Sequence, residues 1–120
     1  MIKGAHYEGQ AALMLRGGGL EILEKNYRCK GGEIDLVCRE GGTLVFVEVR
    51  YRGASGFGSA ACSVTPAKQR RVIHAAQHYL QRRGISQRTP CRIDVVAFDA
   101  ARDGGEDEIQ WLRNAIMLGH

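Results

Sequence analysis

The chain has 120 residues, 44% hydrophobic and 25% charged, with a formal net charge of +4. That is the size and balance of one soluble globular domain spanning residues 1–120, which buries enough surface to form a core without disulfide or metal staples. No apolar run approaches the ~20 residues of a membrane span, and the opening MIKGAHYEGQ lacks a signal-peptide core, so a cytoplasmic protein with no membrane partner is expected.

A helix is expected from about Ala5 to Arg16, with Ala5, Glu8, Gly9, Ala12 and Leu15 on one stripe of mostly small residues. Glu8 is the charge within that stripe. It is either a half-exposed carboxylate suited to the helix dipole or a group aimed into a site. Gly17-Gly18-Gly19 stops the helix and lacks the spacing of a nucleotide-binding loop. Leu20–Arg28 reads as a first strand, polar enough for a sheet edge, and Lys30-Gly31-Gly32 turns the chain into the next one.

Two apolar runs follow, Ile34–Cys38 and Leu44–Val49, each alternating with period two on either side of Gly41-Gly42. That dipeptide suits a two-residue hairpin turn. With Gly41 and Gly42 at the centre, Glu40 faces Thr43, Val37 faces Phe46, Asp35 faces Glu48 and Glu33 faces Arg50. Ile34, Leu36 and Cys38 against Val45, Val47 and Val49 make a wholly apolar face that reads as core. A three-residue loop with a bulge would shift the register by one and put Asp35 opposite a valine.

Directly opposed side chains have Cβ atoms about 4.5–5.5 Å apart, and like charges there repel. A divalent cation between Asp35 and Glu48 would resolve the conflict. Mg²⁺ takes oxygen ligands and commonly uses one or two carboxylates together with substrate phosphate. The alternative is that both carboxylates are solvated on an exposed sheet face.

Gly53–Ser63, rich in glycine and serine, reads as a loop bordering any site that contains Arg50 and Arg52. Thr65 as N-cap, Pro66 at the first helical position and Gly84 after the end predict a helix reaching about Arg83. Val72, Ile73, Ala76, Tyr79 and Leu80 form its apolar face. Lys68, Arg71, His74, His78 and Arg82 follow the polar side. The two histidines lack the glutamate of a zinc-protease motif, so a polar or phosphate-facing stripe is the better reading than a metal site.

Cys91–Phe98 is an apolar strand, and Asp94 within it needs either a buried partner such as a nearby arginine or an outer role at a site. The stretch 100–108 is a loop, and Ile109–Leu118 is expected to be a strand followed by a short helix. Cys29, Cys38, Cys62 and Cys91 show no CxxC spacing, which favours reduced, mostly buried thiols over zinc.

Charge is unevenly spread. Residues 49–93 hold nine basic side chains and no Asp or Glu. Such a block is the footprint of polyanion binding, or else a solvated helix face. Arg52, Lys68, Arg70 and Arg71 are the candidate nucleic-acid contacts.

The wording GEIDLV…LVFVEVRYR closely resembles the YraN family, a bacterial group regarded as endonuclease-like, and the likeness runs from about Tyr7 to Val96. An acidic strand, a turn and a strand ending Glu-x-Lys is the signature of the PD-(D/E)xK nuclease superfamily. The resemblance implies a restriction-endonuclease-like fold, α-β-β-β-α-β with a mixed sheet flanked by helices. It implies kinship with archaeal Holliday-junction resolvases, hence action on branched DNA and a homodimer.

It further implies a catalytic set of Glu8, Asp35, Glu48 and Arg50, with Asp35 and Glu48 holding Mg²⁺, for which Mn²⁺ can substitute. The superfamily lysine is Arg50 here. A guanidinium stays protonated and cannot be a general base, but it can stabilise charge or anchor a phosphate, with Glu33 opposite to hold it. Lys68 matches a family lysine and is a second source of an ammonium group. The expected function is Mg²⁺-dependent hydrolysis of DNA. Behind it stand a non-catalytic nucleic-acid-binding module and a small domain whose basic face meets acidic proteins.

Overall fold

A computed structural model describes residues 2–53 and 58–118, with side chains from residue 5 onward. Helix α1 (Ile2–Gly17) leads into three strands, β1 (Glu21–Cys29), β2 (Gly32–Glu40) and β3 (Thr43–Arg52). A 3₁₀ turn (Ala61–Ser63) and helix α2 (Pro66–Arg82) follow, then β4 (Cys91–Asp99) and β5 (Glu108–Ile116). The five strands form one mixed sheet in the order β1-β2-β3-β4-β5. All neighbours are antiparallel except β3 and β4, which are parallel because α2 carries the chain back between them. This is the α/β architecture expected, with β1 at an edge.

The helices cover opposite faces. On one side, Ala11 and Leu15 of α1 pack in a cluster with Leu36, Cys38, Val45, Val47, Val96 and Phe98. On the other, Tyr79 of α2 packs in a cluster with Ile34, Val37, Phe46, Ile93, Val95 and Ala97. Helix α2 is bounded as its punctuation predicts: the Thr65 side chain accepts the Lys68 N–H, and Gly84 turns out of the helix with φ +63°. It sits close on β2, since a Cβ at Gly32 would come within 2.1 Å of the Arg71 carbonyl oxygen.

The hairpin has the expected register, with Glu40 opposite Thr43 and Val37 opposite Phe46. The expected core face is only partly right. Leu36, Cys38, Val45, Val47 and Val49 do share one cluster, but Ile34 joins the other. The change of face lies beside Asn26 of β1, which has a φ of 56° and sits between the pairs Lys25–Leu36 and Tyr27–Ile34. Asn tolerates this left-handed conformation better than most residues.

The carboxylate of Asp94 is fully buried and accepts from Arg92 Nε at 3.0 Å, Trp111 Nε1 at 3.0 Å and the Asn114 N–H at 2.8 Å. It is a structural anchor that ties β5 to β4, the first of its two readings. The expected short helix after a last strand is not present among the described residues: β5 runs on to Ile116, held through the Asn114 bulge by Asp94.

The histidines of α2 serve packing. His78 Nδ1 bonds the Tyr27 hydroxyl, and His74 Nε2 lies 3.0 Å from the Lys30 carbonyl. All four cysteines are free, and Cys38 is buried with its thiol pushed up to about 12. Cys62 is exposed, unlike the mostly buried thiols expected. Among the described residues, no helix is long and apolar enough to cross a membrane.

Candidate functional site

At the end of the hairpin away from its turn, a cleft of about 290 Å³ is lined by Tyr7, Glu8, Glu33, Asp35, Glu48, Val49, Arg50 and Tyr51. The β2–β3 ladder pairs Leu36–Glu40 with Thr43–Val47. Beyond it, Asp35 Oδ2 accepts the Val49 N–H at 2.8 Å, so a side chain takes the place of a ladder carbonyl. Asp35 is half-buried here, and Glu48 is buried.

Glu48 is the most perturbed carboxyl. Burial first, then the charge and hydrogen bond of Asp35, push it up to about 9; Arg50 opposes but does not prevail. Its Oε1 is buried without a hydrogen-bond partner. A low-dielectric site with two adjacent carboxyls cannot hold both as anions without a compensating charge, so one keeps its proton. Glu8 of α1 borders the same cleft. Its carboxyl is raised by burial and by Asp35, with the Asn26 side chain, Lys25 and Arg28 acting the other way.

Arg50 Nη1 stands 3.5 Å from Glu48 Oε2, and its Nε donates to Ser63 Oγ at 3.0 Å. The expected partner Glu33 instead meets Arg28 of β1 at 3.5 Å on an exposed surface. The reason is strand order: β2 has β1 on its other side, and the β1–β2 register pairs Arg28 with Glu33.

Four of the candidate residues thus meet in one cleft: Glu8, Asp35, Glu48 and Arg50. Arg52, Lys68, Arg70 and Arg71 do not line it. Arg52 follows two residues after Arg50, with its Nε buried and unpartnered among the described residues. Lys68, Arg70 and Arg71 belong to the first turns of α2, with the two arginines exposed.

Sequence reasoning did not find Tyr7, Tyr51 or Ser63. Tyr7 stacks on Tyr51 with ring centres 4.3 Å apart, and burial pushes its hydroxyl up to about 12. The only signal for the pair was the aromatic residue beside each acidic or basic site position.

The donor set suits a hard cation: carboxylate oxygens from adjacent strands, one of them orphaned and buried. Among the described residues, no group of three or more His, Cys, Asp or Glu side chains gathers as a ligand cluster. The pair Asp35 and Glu48 is therefore the candidate, with water or substrate oxygens needed to complete a shell. A larger groove of about 760 Å³, between the second half of α2 and the loop before β4, has no carboxylate in its lining and offers no comparable chemistry.

Residues 7–98 match the model of the uncharacterised protein family UPF0102. The chain belongs to the UPF0102 family. A UPF0102 protein of Cupriavidus metallidurans is 53% identical over 118 residues, covering 98% of this chain and 82% of that protein. One from Nitrosococcus oceani is 50% identical over 116 residues, covering 97% and 92%. One from Aeromonas hydrophila is 46% identical over 115 residues, covering 95% and 84%. UPF0102 is the family that the hairpin wording resembles under the name YraN, and the matched span contains every lining residue of the cleft.

Proposed function

We propose that this UPF0102 chain is a Mg²⁺-dependent DNA endonuclease of the PD-(D/E)xK type. The observation that carries the reading is the Asp35–Glu48 pair: two neighbouring carboxyls in one cleft, Glu48 buried with its Oε1 unpartnered and pushed up to about 9 by burial and by Asp35, beside an arginine. Such a pair favours an ion that replaces the proton on Glu48. The topology suits a nuclease-like core, and the basic block supplies charge for phosphates.

When bound, Mg²⁺ supplies charge that polarises a phosphoryl oxygen and acidifies water. Asp35 and Glu48 hold it. Asp35 is fixed by the Val49 N–H, and Glu48 by its burial in β3. Glu8 orients water from the α1 side of the cleft. Arg50 stabilises the charge that develops on the phosphate, but takes no proton from water. Arg52 and the α2 residues Lys68, Arg70 and Arg71 seat neighbouring phosphates. The resolvase likeness makes branched DNA the first substrate to try.

A second reading is a nucleic-acid-binding module with a decayed site. It is favoured by the arginine at position 50, where the superfamily pattern has a lysine. Incubation with branched and linear DNA, with and without Mg²⁺ or Mn²⁺, decides between them. Metal-dependent nicking abolished by Glu48→Gln supports the enzyme. Salt-sensitive binding with no cleavage in either metal supports the module.

A further inference from the structure

We infer that Ser63 is a positioning residue for the cleft: its hydroxyl sets the aim of the Arg50 guanidinium. This rests on the reading of Arg50 as the charge-stabilising group of a nuclease site.

The hydrogen bonds around Ser63 allow only one direction. Its Oγ lies 2.6 Å from the Ala60 carbonyl oxygen, which can only accept. Arg50 Nε lies 3.0 Å from the same Oγ and can only donate. The single hydroxyl proton therefore goes to Ala60, and a lone pair faces Arg50. The other end of this link is also tied down, because the Ala60 N–H donates to Asp99 Oδ1 at 2.6 Å. Asp99 ends β4, so the 3₁₀ turn bearing Ser63 is clamped to the strand beside the one that carries Arg50.

Arg50 is thus held on two sides. Ser63 takes Nε, and Glu48 Oε2 stands 3.5 Å from Nη1. A guanidinium is a rigid planar fork, so two fixed nitrogens fix the plane and the direction of the remaining N–H groups. The Glu48 contact is long at 3.5 Å, against 3.0 Å for the Ser63 bond. The neutral, fully oriented Ser63 is therefore the firmer of the two guides. A lysine at position 50 carries a methylene where arginine carries Nε–H and could not make this same bond. The arginine and the serine form a matched pair.

The test uses the full chain and three variants: Ser63→Ala, Ser63→Thr and Ser63→Val. Thr and Val have nearly the same volume, so they differ in the hydroxyl alone. Two readouts are taken. One is the Arg50 Nε–Hε correlation in the NMR spectrum of the metal-free protein, assigned by its loss in Arg50→Lys. The other is kcat and KM for Mg²⁺-dependent cleavage of the best DNA substrate. Ser63→Ala and Ser63→Val are expected to shift or broaden the Nε–Hε signal and to lower kcat by up to about 100-fold with KM little changed, as misplacing a catalytic group does. Ser63→Thr is expected to keep both.

A Nε–Hε signal unmoved in both Ala and Val variants overturns the inference, as does a Val variant that cleaves like Thr. If the signal moves but no protein cleaves, wild type included, the nuclease reading fails while Ser63 still orients Arg50. Should Ser63→Ala unfold, the Thr and Val pair carries the comparison.

Discussion

Asp35 Oδ2 accepts the backbone N–H of Val49 at 2.8 Å, so the carboxylate that faces Glu48 also closes the β2–β3 ladder. Two effects of removing it have opposite signs. Losing the acceptor leaves a part-buried N–H without its partner, while losing the charge relieves repulsion with Glu48 once pH passes upward through about 9 and that carboxyl ionises. Asparagine keeps an acceptor oxygen and loses only the charge. In the metal-free protein above about pH 9, where Glu48 is ionised, Asp35→Asn should match or exceed wild type in urea unfolding. Asp35→Ala should fall below Asp35→Asn by about 1–3 kcal/mol, the cost of an unsatisfied polar group. Neither should cleave DNA. Equal stability of the two variants would show that the Val49 bond contributes nothing.

Glu48 gives a pH test. Its carboxyl is raised from 4.5 to about 9 by burial and by Asp35. Between those values the folded metal-free chain holds a proton that the unfolded chain has released. The native state binds more protons, so stability falls as pH rises. The contribution is present in full below the ordinary carboxyl range and is lost as pH passes upward through about 9. Glu48→Gln should flatten that slope and melt higher than wild type at mildly alkaline pH. Added Mg²⁺ should raise the melting temperature of wild type there and leave Glu48→Gln unchanged. A wild-type melting temperature that climbs from acid to alkaline pH would contradict this assignment.

These carboxylates were legible in the sequence because one hairpin holds both. Gly41-Gly42 set the register, and Gly41 does adopt φ +59°. Helix α2 was legible for a similar reason, since Thr65, Pro66 and Gly84 act locally. What stayed hidden depends on distant partners. The run GEIDLV reads as smooth alternation, yet Ile34 and Leu36 join different core clusters, beside Asn26 with its positive φ in the neighbouring strand. A polar asparagine inside a strand was the available clue. The end of β5 could not be read because its bulge is fixed by Asp94, 20 positions away in sequence from Asn114. Glu8 was ambiguous as pattern, and only the family likeness drew it toward the cleft. Ser63 sat in a loop with no periodicity to mark it.

The exposed arginines at the start of α2 should govern affinity and leave sequence preference alone. Phosphate contacts position a nucleic acid but carry no sequence information. Reversing Arg70 and Arg71 to Glu should weaken binding to all DNA sequences alike. It should also lower the slope of log affinity against log salt by about 1 per lost contact. Fluorescence anisotropy across a KCl series measures both. Because neither residue lines the cleft, melting temperature and Mg²⁺ response should stay as in wild type. Wild-type affinity that ignores salt would rule out the electrostatic account.

Arg50 is where the chemistry of the site is most open to experiment. Its guanidinium can stabilise charge but cannot accept a proton from water, so weak wild-type cleavage is expected. Arg50→Ala should lose about a hundred- to thousand-fold in rate, the usual effect of removing a preorganised donor. Arg50→Lys restores the ammonium of the superfamily pattern next to Glu48 and gives up the Ser63 bond. Cleavage retained or raised in the lysine variant means that a positive charge beside Glu48 is what the reaction needs. Cleavage in Arg50→Lys alone means an intact site switched off by one residue. If wild type and Arg50→Lys both fail on every nucleic acid while binding persists, the module reading replaces the enzyme. Should Arg50→Ala cleave as fast as wild type, Arg50 has no catalytic part. Lys68, half-buried at the start of α2, then becomes the cation to remove next.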